Sequence, residues 1–209
     1  MLADGCRHVF LDVGSNRGVH IRFLSPPHLF PSSTYLSRAF FSSSFGPAFH
    51  SDPSVCAFAF EPNPSHAPRL ERLSRALRAE GRRVEWFPLA AAGGGEGRGG
   101  VVTMYHHRGD AAASDWRFGS KRVSHRPINV SSLDLGEFVL TELTRRAVPR
   151  ATGRRGERPP SIVMKLDIEG DEARTPPLPP PLPSPAERTF SFQRRPPRLP
   201  SHLVPAFLI

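Results

Sequence analysis

The stretch that most constrains the fold is Val9–Gly18, V-F-L-D-V-G-S-N-R-G. A short apolar run followed at once by a polar, glycine-bearing turn reads as a buried parallel strand. Gly14 permits a sharp backbone turn. Gly18 lets a ligand or the next helix approach closely. In open parallel sheets, ligands bind outside the carboxyl ends of the strands, so this turn is the first candidate for a ligand site. Its spacing excludes the dinucleotide fingerprint G-x-G-x-x-G, because Asn16 stands at the second glycine position. An acidic residue two before the first glycine suits a ligand with an amino-acid head, whose ammonium Asp12 would face. A purely structural strand-turn is the alternative.

Two further runs match the first. Val55–Phe60, V-C-A-F-A-F, is a second buried strand, closed by Glu61-Pro62-Asn63-Pro64. A carboxylate at the end of the second strand of a nucleotide-type fold commonly accepts hydrogen bonds from ribose hydroxyls, and Glu61 stands there. Its alternative role is a turn or capping carboxylate. Ser161–Gly170, S-I-V-M-K-L-D-I-E-G, is another buried strand, with Lys165, Asp167 and Glu169 at alternate positions near its end. Alternate positions share a face, and buried charges must be solvated or paired. That set is the candidate active-site constellation, with a structural ion cluster as the alternative.

Between these runs the chain alternates as an α/β fold does. A helix is expected from Val19 to Leu24, broken by Pro26-Pro27. Residues 25–54 form an insertion rich in Ser, Pro and Phe, which either packs its own cluster or walls a pocket. Leu70, Leu73 and Leu77 predict an amphipathic helix over Ser65–Glu80, with arginines on the solvated face and Gly81 at its end. Val84–Leu89 is a third strand leading into Ala90-Ala91-Ala92, whose small side chains leave room for a flat ring. Gly93–Gly100 is a turn, Val101–Tyr105 a hairpin strand, and Ser131–Ala147 a second amphipathic helix with Asp134 in its first turn. Pro149–Pro160 is a basic loop. His106, His107 and His125 lack metal-ligand spacing and are read as surface residues. Asn129-Val130-Ser131 is a glycosylation sequon, relevant in a secreted chain.

Composition limits the remaining classes. The chain has 209 residues, 24 of them proline, and a net charge of +9. One domain is expected. The arginines are scattered rather than clustered, which argues against a nucleic-acid partner. No apolar run approaches the roughly 20 residues of a membrane span. Cys6 and Cys56 form no cysteine framework and no metal spacing, so reduced, buried thiols and a cytoplasmic location are the default. From Thr175 the chain becomes T-P-P-L-P-P-P-L-P-S-P and then R-R-P-P-R-L-P-S, a polyproline composition read as a disordered tail. Arg174-x-x-Pro177-x-x-Pro180 and Arg194-x-x-Pro197-x-x-Pro200 match ligands of proline-recognition domains.

Four stretches in this order resemble the FkbM family of S-adenosylmethionine-dependent methyltransferases: Phe10–Gly18, Phe58–Pro64, Val130–Asp134 and Val163–Glu172. The resemblance implies a Rossmann-like class I methyltransferase sheet over residues 1–173, with S-adenosyl-L-methionine as the cofactor. Asp12, Gly14, Ser15, Asn16 and Gly18 would lie along its methionine part. Glu61, with Asn63 beside it, would hold the ribose, and Leu89, Ala90 and Ala91 would lie by the adenine. Asp167, oriented by Lys165 or Glu169, would take the proton from a hydroxyl of a small-molecule or sugar acceptor. The chain departs from the family in the insertion at about 25–54. It also departs after Glu172, where the family continues with a helix and strands while residues 174–209 turn Pro-rich. The resemblance thus implies a sheet whose C-terminal strands are missing.

Overall fold

A computed structural model describes residues 1–26, 35–92, 100–106, 118–119, 126–153, 157–167 and 189–194. Glu169, the first PxxP match and all of the second but Arg194 lie outside the described residues, as do His107 and His125. The centre is a five-stranded, wholly parallel sheet in the order β3-β2-β1-β8-β9. Its strands are β1 (His8–Val13), β2 (Val55–Phe60), β3 (Arg83–Phe87), β8 (Ser161–Leu166) and β9 (Thr189–Arg194). Every residue of β1, β2 and β8 is buried. This explains why they read as continuous apolar runs rather than alternating ones.

Helical layers cover both faces. On one, Val9, Leu11, Phe58, Phe60 and Met164 pack against Leu135, Phe138, Val139 and Leu143. These last four lie on α4 (Leu135–Phe138) and the π-helical turn Val139–Leu143. On the other face, Phe10, Ala57, Ala59 and Val163 meet α1 (Val19–Arg22), α2 (Tyr35–Phe45) and α3 (Ala67–Ala79) through Ile21, Phe41, Phe45 and Leu77. The aromatic insertion is therefore part of the core: Phe41 meets Phe10 edge-on, with centroids 4.9 Å apart, and Phe49 is buried beside them. Arg82 holds the insertion in place, donating to the carbonyls of Leu24, Phe49 and Asp52. Its side chain is buried.

A second, smaller sheet has the order β4-β7-β5-β6. It comprises β4 (Ala90–Ala92), β5 (Val101–His106), β6 (Phe118–Gly119) and β7 (Arg126–Asp134). The expected hairpin strand is present in it as β5.

Several expectations are corrected. The helix expected over Ser131–Ala147 begins only at Leu135, because the strand runs on to Asp134, pairing with β5 as far as Ser131 and with β4 from Ser132. Asp134 is the cap of that helix, its side chain accepting from Glu137 N at 3.0 Å, rather than a residue of its first turn. The helix then widens: Thr144 N bonds Val139 O, five residues back. Cys6 and Cys56 form a disulfide, against the expected free thiols. Cys56 pairs with Val9 in the sheet, so the first turns of β1 and β2 are adjacent there and bring the two sulfurs together. The Pro-rich tail, read as carrying no strand, contributes β9, which pairs with β8 from Ser161 to Leu166 and covers that edge. T-F-S-F-Q-R is the one tail segment with strand alternation.

Among the described residues, no helix is long and apolar enough to cross a membrane.

Candidate functional site

Strand order decides where the site lies. β2 and β8 flank β1 on opposite sides, so the strand order reverses there, and in open parallel sheets ligands bind at the carboxyl ends of such a switch point. Register then sets the chemistry, because Asp12 stands opposite Ala59 on one side and Lys165 on the other. The two charged residues therefore leave the sheet on one face at one level.

The turn after β1 is bound tightly to the end of β2. Gly14 N and Ser15 N both donate to Phe60 O, at 3.0 Å each. Ser15 Oγ donates to Asp12 O at 2.7 Å. Asn16 has φ 53°, a left-handed conformation that asparagine accepts more readily than most residues. Its N–H donates to Glu61 Oε2 at 2.6 Å, while Asn63 N donates to Oε1 at 2.9 Å. Glu61 thus joins the two strand ends. Asn63 Oδ1 in turn accepts from Ser65 N and caps the short 3-10 turn before α3. Burial holds the Glu61 carboxyl above its ordinary pKa, against the pull of the two backbone N–H groups and Lys165.

Asp12 is fully buried, and neither carboxylate oxygen accepts a hydrogen bond. Lys165 Nζ lies 3.2 Å from its Oδ1 as an ion pair and donates a hydrogen bond to Gly14 O. Asp167 Oδ2 stands 3.8 Å from the same ammonium. Three carboxylates, Asp12, Glu61 and Asp167, therefore gather about one lysine. Among the described residues, the carboxylates at the site outnumber the ammonium groups, which favours a cationic ligand group.

The two glycines of the motif have protein neighbours. A Cβ on Gly14 would collide with the Asp167 carbonyl, and one on Gly18 would stand 2.6 Å from Leu73 Cδ2. Gly18 gives room to α3 rather than to the helix that follows it in sequence. Ala90 and Ala91 lie in β4, opposite Ser132 and Leu133, where Ala90 packs with Val130.

The structure therefore gathers Asp12, Gly14, Ser15, Asn16, Glu61, Asn63, Lys165 and Asp167 at the ends of three adjacent strands. His66, not singled out in the sequence, joins them. It is buried, with Nδ1 3.8 Å from Glu61 Oε1. Its only sequence signal is its place at the start of the helix that follows E-P-N-P. Among the described residues, no group of three or more His, Cys, Asp or Glu side chains is placed to hold a metal ion. No protein-family model matches the chain, and no curated protein or solved structure matches it either.

Proposed function

We propose that the chain is an S-adenosylmethionine-dependent methyltransferase acting on a hydroxyl group of a small molecule or sugar. The observation that carries this reading is Asp12: a fully buried carboxylate at a switch point, ion-paired at Oδ1 with Lys165 but accepting no hydrogen bond at either oxygen. A buried acceptor of this kind calls for a donor, and a ligand ammonium supplies one. The excess of carboxylates suits a ligand carrying both an ammonium and a sulfonium. Glu61 spends one acceptor position of each oxygen on a backbone N–H and keeps one on each for ribose hydroxyls.

S-adenosylmethionine supplies an already electrophilic methyl group when bound. The chain's own part is to orient and to exclude water. In this reading Asp12 holds the ammonium end and the Gly14–Asn16 turn shapes its surroundings. Asp167, the most exposed of the three carboxylates at 25%, takes the acceptor's hydroxyl proton, and Lys165 fixes its position. Glu169 would assist as a second orienting carboxylate, and Ala90 and Ala91 would border the adenine.

Calorimetric titration of the folded chain with S-adenosylhomocysteine tests the reading. Binding that Asp12→Asn abolishes supports it; no heat from a folded sample overturns it. A second reading is a non-catalytic fragment whose Pro-rich tail recruits proline-recognition domains. It would explain the tail composition, but β9 along β8 weighs against an incomplete sheet. On location, the Cys6–Cys56 disulfide argues for an oxidising compartment against the cytoplasm assumed by default.

A further inference from the structure

Asn16, Asn63 and Asn129 are the chain's asparagines, and Asn129 alone begins a usable N-x-S/T sequon. Asn63-Pro64-Ser65 carries the excluded proline in the middle. The sequon lies on β7, where residues alternate between two faces. Val130 is buried with Ala90, and Ile128, Val102 and Met104 pack around them. Asn129 and Ser131 point the other way and are exposed. Asn129 pairs with Thr103 across the strands, and Thr103 Oγ1 donates to its Oδ1 at 3.0 Å. Ser131 pairs with Val101 on the same face.

The disulfide is an independent observation. Cys6 and Cys56 are both fully buried, so their bond is part of the folded core and no surface accident. Buried structural disulfides belong to compartments that oxidise thiols while chains fold. In eukaryotic cells that compartment also glycosylates sequons.

We infer that Asn129 is an N-linked glycan acceptor in a chain that folds in an oxidising lumen. In the step, a bond forms between Asn129 Nδ2 and the anomeric carbon of a lipid diphosphate-linked oligosaccharide. The carbon–oxygen bond to the diphosphate breaks, the lipid diphosphate leaves with the bonding pair, and the amide proton passes to a base of the host transferase. No oxidant or reductant is needed. The fold accommodates the product, because the attachment point lies on the solvent face and the apolar face of the small sheet is untouched. The glycan would also shelter Val101, which is 68% exposed and sits beside the sequon on that face. Exposed apolar strand surface is an aggregation hazard that such cover removes.

The inference does not depend on methyl transfer, and its test reads neither cofactor nor activity. The full chain is produced behind a cleavable secretion leader in a eukaryotic host, and the chain from its native source is mapped alongside. Both are expected to carry one glycan, and peptide N-glycosidase should leave Asp at position 129. Asn129→Gln and Ser131→Ala should each abolish the mass gain, and Ser131→Thr should keep it. A disulfide-bonded chain with unmodified Asn129 overturns the proposal, as does a native chain with reduced Cys6 and Cys56. Intracellular retention of a variant leaves the readout intact, since the same mass gain is measured on the retained chain.

Discussion

The carbonyl of Asp167 fills the space that a side chain on Gly14 would need. The end of β8 thus crosses the β1 turn in backbone contact, and Asp167 N donates to Val13 O at 3.1 Å. Gly14 also has φ 74°. Gly14→Ala should cost ~3 kcal/mol, from left-handed strain added to a collision with backbone that cannot rotate away. Gly81 has φ 78° with nothing within 4 Å of its Cβ position. Gly81→Ala should therefore cost only about 1 kcal/mol. Urea denaturation of the two variants measures the difference, and equal losses would show that the contact does not matter.

Lys165 is the only ammonium beside the buried Asp12 carboxylate among the described ion pairs. Lys165→Met should cost roughly 3 kcal/mol, because it leaves a buried charge without its partner. The double variant Asp12→Asn/Lys165→Met should recover part of that loss, and a double-mutant cycle gives the coupling. Additive losses would show that the pair is not coupled.

His8 gives stability a dependence on pH. Its ring is buried in the sheet, 2.8 Å from Ser161 Oγ, and burial pushes its pKa from 6.5 down to about 4. The unfolded chain therefore takes up this proton first. Stability is fully present above pH 6.5 and falls as pH drops toward 4, by up to roughly 3 kcal/mol from this residue. Denaturation midpoints of the wild type and His8→Gln at pH 7.5 and pH 5 check this. The variant should show a flatter dependence between the two.

The disulfide closes a loop across 50 residues of sequence. Replacing both cysteines with alanine should cost about 2–4 kcal/mol. Cys6 precedes β1 and Cys56 is the second residue of β2, so the bond lies at the amino ends of the strands, away from Asp12 and Glu61. S-adenosylhomocysteine affinity should therefore persist in the variant if it is present in the wild type. Thermal melts with and without reductant give the stability difference.

The parts legible in the sequence are those where local pattern and burial agree. β1, β2 and β8 are buried throughout, and their apolar runs, broken only by His8, Asp12, Ser161 and Lys165, record that. The leucine period of α3 records its one buried face, and Gly81 its stop. What was not legible depends on partners distant in sequence. The cysteines meet only because β2 lies beside β1 in one register. Asp12 meets Lys165 only because β8 lies on the other side. Glu61 reads as a ligand carboxylate by position, yet its two oxygens also hold the backbone of two turns, which no spacing could disclose. Ile128–Asp134 carries both a strand pattern and a helix start, and pairing with β5 and then β4 decided between them.

β1 is synthesised before both of its neighbours, and one of them, β8, lies some 150 residues downstream, as the His8–Ser161 contact spans 153 positions. During synthesis β1 and β2 can pair early, and the Cys6–Cys56 bond can lock that pair once residue 56 is free to fold. The other edge of β1 must then wait, unpaired and apolar, until residue 166 emerges. A bond between the first two strands holds the nascent sheet in register through that interval.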